Sequence, residues 1–210
     1  MNKKDIILNR ISYDGQKSLE DIVAVEQIIN IEEPNGEVNR ITCTPGHLEE
    51  MIIGRRTTGG RYVQETENEG ITELKITDIL DMAKKTIETP AELFNSTGCA
   101  HSCMLVKENV ILCHMEDIKR HNALDKAVGY AVKQDIPLNS VIVFTSGRVS
   151  LDYIEKAVNA GIRIIASRAA VTDAAVEYAR EKDITLLGFV REGRANLYNE
   201  GNDKLIQEEQ

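Results

Sequence analysis

The feature that most constrains the fold is the alternation, from Phe94 onward, of short apolar strands with helical stretches. Strands are expected at 102–107, 110–114, 141–145, 162–166 and 184–190, with helical periodicity at 116–133, 150–160 and 172–182. Val141-Ile142-Val143-Phe144, Ile162-Arg163-Ile164-Ile165 and Ile184-Thr185-Leu186-Leu187 have the continuous apolar character of parallel strands covered on both faces. Such alternation builds right-handed βαβ units, so the chain reads as α/β, with a mainly parallel sheet and helices on both faces. Ligands of such sheets lie beyond the carboxyl ends of the strands. That rule marks Thr145-Ser146-Gly147-Arg148 and Ser167-Arg168.

The first 93 residues have a different texture. Two runs rich in β-branched residues, 22–31 and 37–43, flank Pro34-Asn35-Gly36 and predict a two-stranded ribbon. Thr44-Pro45 reads as an N-cap with Pro at N1, opening a helix that stops at Gly59-Gly60. Residues 62–76 suggest a weak hairpin, and 77–88 a helix halted before Pro90. The expected organisation is a small α+β subdomain over 1–93, an α/β domain over 94–198 and a polar tail over 199–210.

Composition narrows the partners. A net charge of −9 argues against extended contact with nucleic-acid backbone, so any phosphate site must be local. No apolar run reaches the roughly 18 residues that span a bilayer, and Met1-Asn2-Lys3-Lys4-Asp5 does not open a secretory segment. The expected compartment is the cytoplasm, where Cys43, Cys99, Cys103 and Cys113 would stay thiols.

Three constellations carry chemistry. At helical spacing, Asp117, Arg120, His121, Leu124, Val128 and Ala131 share one face, which puts charge where core should be, while Lys119, Lys126 and Lys133 fall on the other. That charge is either a structural Asp-Arg pair with a satisfied histidine or the wall of a site. Thr97-Gly98-Cys99-Ala100-His101-Ser102-Cys103 gathers two thiols, an imidazole and two hydroxyls. Its Cys-x-His-x-Cys spacing lacks a second ligand pair for a standard zinc site, although a metal-dependent hydrolase using Cys99, His101 and Cys103 stays among the readings. With Glu108-Asn109 as a two-residue turn, Cys103 falls opposite His114, a pairing that would activate the thiol; the alternative is that Cys103 and Cys113 are both small core residues, the better reading for Cys113. Thr145-Ser146-Gly147-Arg148 can hold an anion at a helix N-terminus.

Glu116-Asp117-Ile118-Lys119-Arg120-His121-Asn122-Ala123-Leu124-Asp125-Lys126 resembles the helix motif of the formate dehydrogenase accessory sulfurtransferases, the FdhD family. Thr97-Gly98-Cys99-Ala100-His101 is similar to that family's Thr-Gly-Gly-x-His, and Thr145-Ser146-Gly147-Arg148 to its Thr-Ser-Gly-Arg. The resemblance extends from Thr44-Pro45 to Ser167 through Thr172 and Asn196-Leu197-Tyr198. It implies a cytidine-deaminase-like three-layer α/β/α domain, a homodimer, and a site for bis-molybdopterin guanine dinucleotide, with GDP as an analogue. It also implies transfer of persulfide sulfur from a cysteine desulfurase to that molybdenum or tungsten cofactor, for the catalytic subunit of formate dehydrogenase. Residues 55–96 hold none of the family's usual Cys-x-x-Cys, which directs the sulfur-carrying role to Cys99 with Cys103 as partner. The ligand-binding residues implied are Thr97, Gly98, His101, Asp117, Arg120, His121, Asn122, Lys126, Thr145, Ser146, Gly147, Arg148, Ser167 and Thr172. A cofactor-binding chaperone without sulfur transfer is the alternative.

Overall fold

A computed structural model describes residues 2–32, 36–60, 71, 73–202 and 204–206. Its centre is a six-stranded mixed sheet. β6 (His101–Lys107) and β7 (Val110–Asp117) form a hairpin, and β8 (Ile142–Thr145), β9 (Ile164–Ser167) and β10 (Thr185–Arg191) are mutually parallel. β11 (Arg194–Asn199), absent from the sequence expectation, closes the far edge, giving the order β11-β10-β9-β8-β6-β7. The sheet is therefore parallel only at its centre, because β6 runs antiparallel to β8 and β11 antiparallel to β10.

Helices α4 (Arg120–Lys133), α5 (Leu151–Asn159) and α6 (Asp173–Glu181) cover one face around Leu105, Val143, Ile165 and Leu186. Against the other face, α2 (Ile76–Glu88) packs Ile79 and Met82 on Met104, Phe144 and Ile164. This gives the α/β/α layering that the resemblance implied. Continuous burial of β8 and β9 explains their apolar runs, Ile142-Val143-Phe144 and Ile164-Ile165-Ala166.

α1 (Leu48–Thr58) lies on α4 with backbones almost in contact. A Cβ at Gly54 would sit 1.7 Å from Asp125 O, and one at Gly129 would sit 1.8 Å from Glu50 O. Covered by the sheet on one side and α1 on the other, α4 is buried all round between Asn122 and Gly129. Lys126, expected on an outer face, is for that reason fully buried.

Several boundaries differ from expectation. The run 22–31 is two elements: its start ends β2 (Gly15–Ala24), which pairs with β1 (Lys3–Ser12), and its remainder is β3 (Gln27–Glu32), which pairs with β4 (Val38–Cys43). Pro34-Asn35 of the expected turn lies outside the described residues. α1 starts at Leu48 with His47 as N-cap, not at Pro45, because the Thr44 hydroxyl is used elsewhere. Most of the 62–76 segment lies outside the described residues, and β5 (Glu73–Lys75) pairs in parallel with β12 (Lys204–Ile206) within the expected tail. α3 (Glu92–Thr97) is a short helix ended by Gly98 in the left-handed region. Glu116 and Asp117 belong to β7, so Asp117 is not on the α4 face.

The β6–β7 hairpin turns at Glu108-Asn109 as expected, both residues at positive φ. A bulge between Leu105 and Val106 then shifts the register by one. Cys103 faces Met115, Leu105 faces Cys113, and Met104 faces His114. The expected Cys103–His114 pairing is thereby lost, since a one-residue slip moves each side chain to the other face.

Candidate functional site

The site lies where the strand-end rule placed it, beyond the carboxyl ends of β8 and β9. The loops after these strands are tied by the Val149–Val171 bridge and by Ser167, whose Oγ donates to Gly147 O at 2.8 Å and accepts from Ala169 N at 2.9 Å. Thr145 Oγ1 accepts from Gly147 N at 3.1 Å. With these bonds made, Ser146 and Arg148 are left to face outward. They meet Cys99 and His101, brought to the same end of the sheet by the antiparallel run of β6.

The resulting cleft, about 790 Å³, is lined by three guanidiniums, Arg148, Arg168 and Arg191, together with His101, and no carboxylate among the described residues lines it. In a chain of net charge −9 this is a local concentration of positive charge. Burial and the neighbouring Arg191 push Arg168 below the usual arginine range. Burial, with the Arg120 and Arg148 charges, holds His101 below the ordinary histidine value, favouring neutral imidazole. A second compartment of about 330 Å³ adjoins the cleft across Ser102, Ser146 and Arg168, with Met104, Phe144 and Phe94 among its walls. The annex mixes Phe94, Met104 and Phe144 with polar groups such as Thr86, Glu88 and Asn95, so cleft and annex together can hold an anionic ligand that also carries a ring with polar edges.

Cys99 follows the left-handed Gly98 and is exposed on the cleft wall; its amide donates to Thr97 Oγ1 at 3.1 Å. Cys103 is a correction. Strand alternation sends it to the opposite face of the sheet, where it is fully buried with Tyr153 Oη 4.0 Å from its sulfur, and burial drives its thiol far above the ordinary value. It neither lines the cleft nor partners Cys99, and a Cys99–His101–Cys103 ligand set does not converge. Cys113, likewise buried, is pushed up to about 12, as its reading as core implied.

The α4 motif is mostly frame rather than wall. Asp117 and Lys126, both 0% exposed, pair at 2.7 Å. Asp117 accepts from Thr44 N and Oγ1 at 3.0 Å each and from Asn122 Nδ2 at 2.9 Å; Lys126 Nζ donates to Thr44 Oγ1 at 2.6 Å. This network fixes β4, β7 and α4 together, and Asn122 adds a bond to Thr42 O. Arg120 donates to Ser150 Oγ at 2.8 Å, its stem against Gly147, while its Nε has no hydrogen-bond partner among the described residues. His121 Nε2 lies 3.0 Å from Asp152 Oδ2 without hydrogen-bond alignment, and burial lowers its pKa. Thr97 bonds Leu93 O, and Thr172 caps α6 by accepting from Ala175 N at 3.3 Å.

Of the expected ligand residues, Gly98, His101, Ser146 and Arg148 line the cleft, as does Cys99. Thr145 lines the annex. Ser102, Arg168 and Arg191 also line the cleft and were not among the ligand residues that the resemblance implied. Arg168 sits at a strand end the ligand rule had marked, but nothing local in the sequence brings Arg191 there.

The model of the FdhD/NarQ family matches residues 56–205, well over half of the chain. The chain belongs to the FdhD/NarQ family. Among its FdhD relatives, Protein FdhD of Methanocaldococcus jannaschii is 36% identical over 208 residues, covering 87% of this chain and 90% of that protein. Sulfur carrier protein FdhD of Staphylococcus haemolyticus is 25% identical, covering 93% and 96%. The crystal structure of a formate dehydrogenase accessory protein from Desulfotalea psychrophila shares the fold, with a TM-score of 0.82 at 23% identity over 95% of this chain and 97% of that one.

Proposed function

We propose that this FdhD/NarQ member is a sulfur carrier that serves formate dehydrogenase. Cys99 bears the persulfide, received from a cysteine desulfurase, and the arginine cleft holds the anionic nucleotide end of bis-molybdopterin guanine dinucleotide, the acceptor. The observation that carries this reading is one exposed thiol on the wall of a cleft with three arginines and, among the described residues, no carboxylate. Phosphate oxygens match guanidinium forks, and the annex suits a base. Cys99 is the one cysteine of the four that is not buried, so it alone is open to a donor protein's persulfide.

Incubation with a cysteine desulfurase and cysteine, followed by intact-mass measurement, tests the sulfur step. The expected result is a gain of one sulfur atom that Cys99→Ala abolishes; an unchanged adduct in Cys99→Ala removes Cys99 from the role.

One observation favours a second reading, a cofactor-binding chaperone without sulfur transfer: Cys103 is buried on the other face, leaving Cys99 without a partner thiol. On that reading, Cys99→Ser still restores formate dehydrogenase activity to a strain lacking this protein.

The homodimer implied by the resemblance has a candidate surface in the β1–β2 ribbon, where Ile7, Ile11 and Tyr13 stand exposed. Among the described residues no helix is long and apolar enough to cross a membrane; we place the protein in the cytoplasm.

A further inference from the structure

The shifted β6–β7 register that takes His114 away from Cys103 gives it another partner. His114 and Ser102 project from the same face of the sheet, and His114 Nε2 lies 3.0 Å from Ser102 Oγ. Ser102 stands where the cleft meets the annex and lines both. Its backbone groups are already used, for its amide donates to Ser146 Oγ at 2.8 Å and its carbonyl accepts from Ser146 N at 3.0 Å. The hydroxyl is the group left to act on a ligand.

We propose that Ser102 and His114 form a ligand-reading pair, in which the imidazole donates Nε2–H to Ser102 Oγ and thereby commits the Ser102 proton to an oxyanion in the cleft. The inference rests on the cleft being an anion site and adds two residues that neither the helix motif nor the strand-end rule singles out. A serine hydroxyl has one proton and two lone pairs. If His114 Nε2 accepted that proton, Ser102 would turn lone pairs toward an anionic ligand and repel it. Only the opposite polarity makes both hydrogen bonds, and each link polarises the next. Burial lowers the His114 pKa, so the neutral ring supplies this donor without adding a charge. Ser146 Oγ, accepting from the Ser102 amide, is left to donate beside it, and two adjacent hydroxyl donors suit a phosphate or pyrophosphate edge. His114 is a positioning residue; Ser102 is the contact.

The test is calorimetric titration of the full chain with GDP, and with inorganic pyrophosphate as the base-free probe. Ser102→Ala and His114→Ala are each expected to weaken binding about tenfold, the loss of one hydrogen bond to a charged group. The double variant should bind no more weakly than Ser102→Ala alone, since both act through one hydroxyl. His114→Gln, whose amide N–H reaches the Nε2 position, should stay within about twofold of the wild type. Additive losses, wild-type affinity in Ser102→Ala, or a His114→Gln as weak as His114→Ala would each overturn the pair. Should His114→Ala not fold, Ser102→Ala and His114→Gln decide alone. A wild type that binds neither probe overturns the cleft reading and the pair with it, whereas a wild type that binds with unaffected variants overturns only the pair.

Discussion

Two groups of charges in this molecule do opposite things. Between the end of β7 and the middle of α4, Asp117 and Lys126 are withdrawn from water, each satisfied by the other and by Thr44. Beyond the carboxyl ends of the parallel strands, Arg148, Arg168 and Arg191 face a cleft that no carboxylate among the described residues lines. The first group is neutralised internally and has nothing to offer a ligand. The second keeps an excess of positive charge that an anion can satisfy. Membership of a recognisable charged motif therefore does not make a residue a contact; the partner it already has decides.

The sharpest way to break this comparison is to empty the frame. Lys126→Met strands a buried Asp117, and chemical denaturation should show a loss of about 3–5 kcal/mol, with folding itself at risk. Arg148→Ala, in contrast, should stay within about 0.5 kcal/mol of the wild type. Equal losses would place both groups in the same structural class.

Ligand binding should reverse the ranking. GDP, as a native-state ligand, is expected to raise the melting temperature. Arg148→Ala or Arg168→Ala should weaken binding roughly tenfold or more, as removal of a charged hydrogen-bond donor does. The same thermal shift in variant and wild type would reject that arginine as a phosphate contact.

The smallest effect concerns pH. Burial lowers the pKa values of His101, His114 and His121 in the folded state, so the unfolded chain takes up protons first as pH falls. Stability is then complete above about pH 6.5 and declines below it. Asp125, raised by burial, acts in the opposite sense at lower pH. His121→Gln should lose less melting temperature than the wild type between about pH 7.5 and 5.5. An unchanged slope would mean that His121 titrates normally.

Much of the fold was legible because β8, β9 and β10 must be apolar on both faces, and a continuous apolar run is hard to read otherwise. The β1–β2 ribbon was not legible, since it is exposed along most of its length and its apolar residues, with Ile6-Ile7-Leu8 in a row, do not alternate cleanly with polar ones. Lys126 was misplaced because helical periodicity knows one buried face, and α4 has two neighbours that come close only through Gly54 and Gly129. The Cys103–His114 pairing failed on a single bulge, which turn chemistry cannot foresee. In the site, Arg148 was legible from the strand-end rule, while Arg191 reaches the cleft from the third parallel strand, a convergence that only tertiary structure supplies.

The pairing of β5 with β12 sets a timetable for the chain as it is made. Leu74 pairs with Leu205, so the whole six-stranded sheet lies between the two partners in sequence. β5 also leads directly into α2, the helix that covers the Met104 and Phe144 side of that sheet. During synthesis, β5 waits for every strand of the central sheet to be made before its own partner exists. This side of the molecule is therefore completed last, and α2 must hold its place on the sheet until then by its apolar contacts and by the Lys84–Glu192 ion pair, without the β5–β12 pairing.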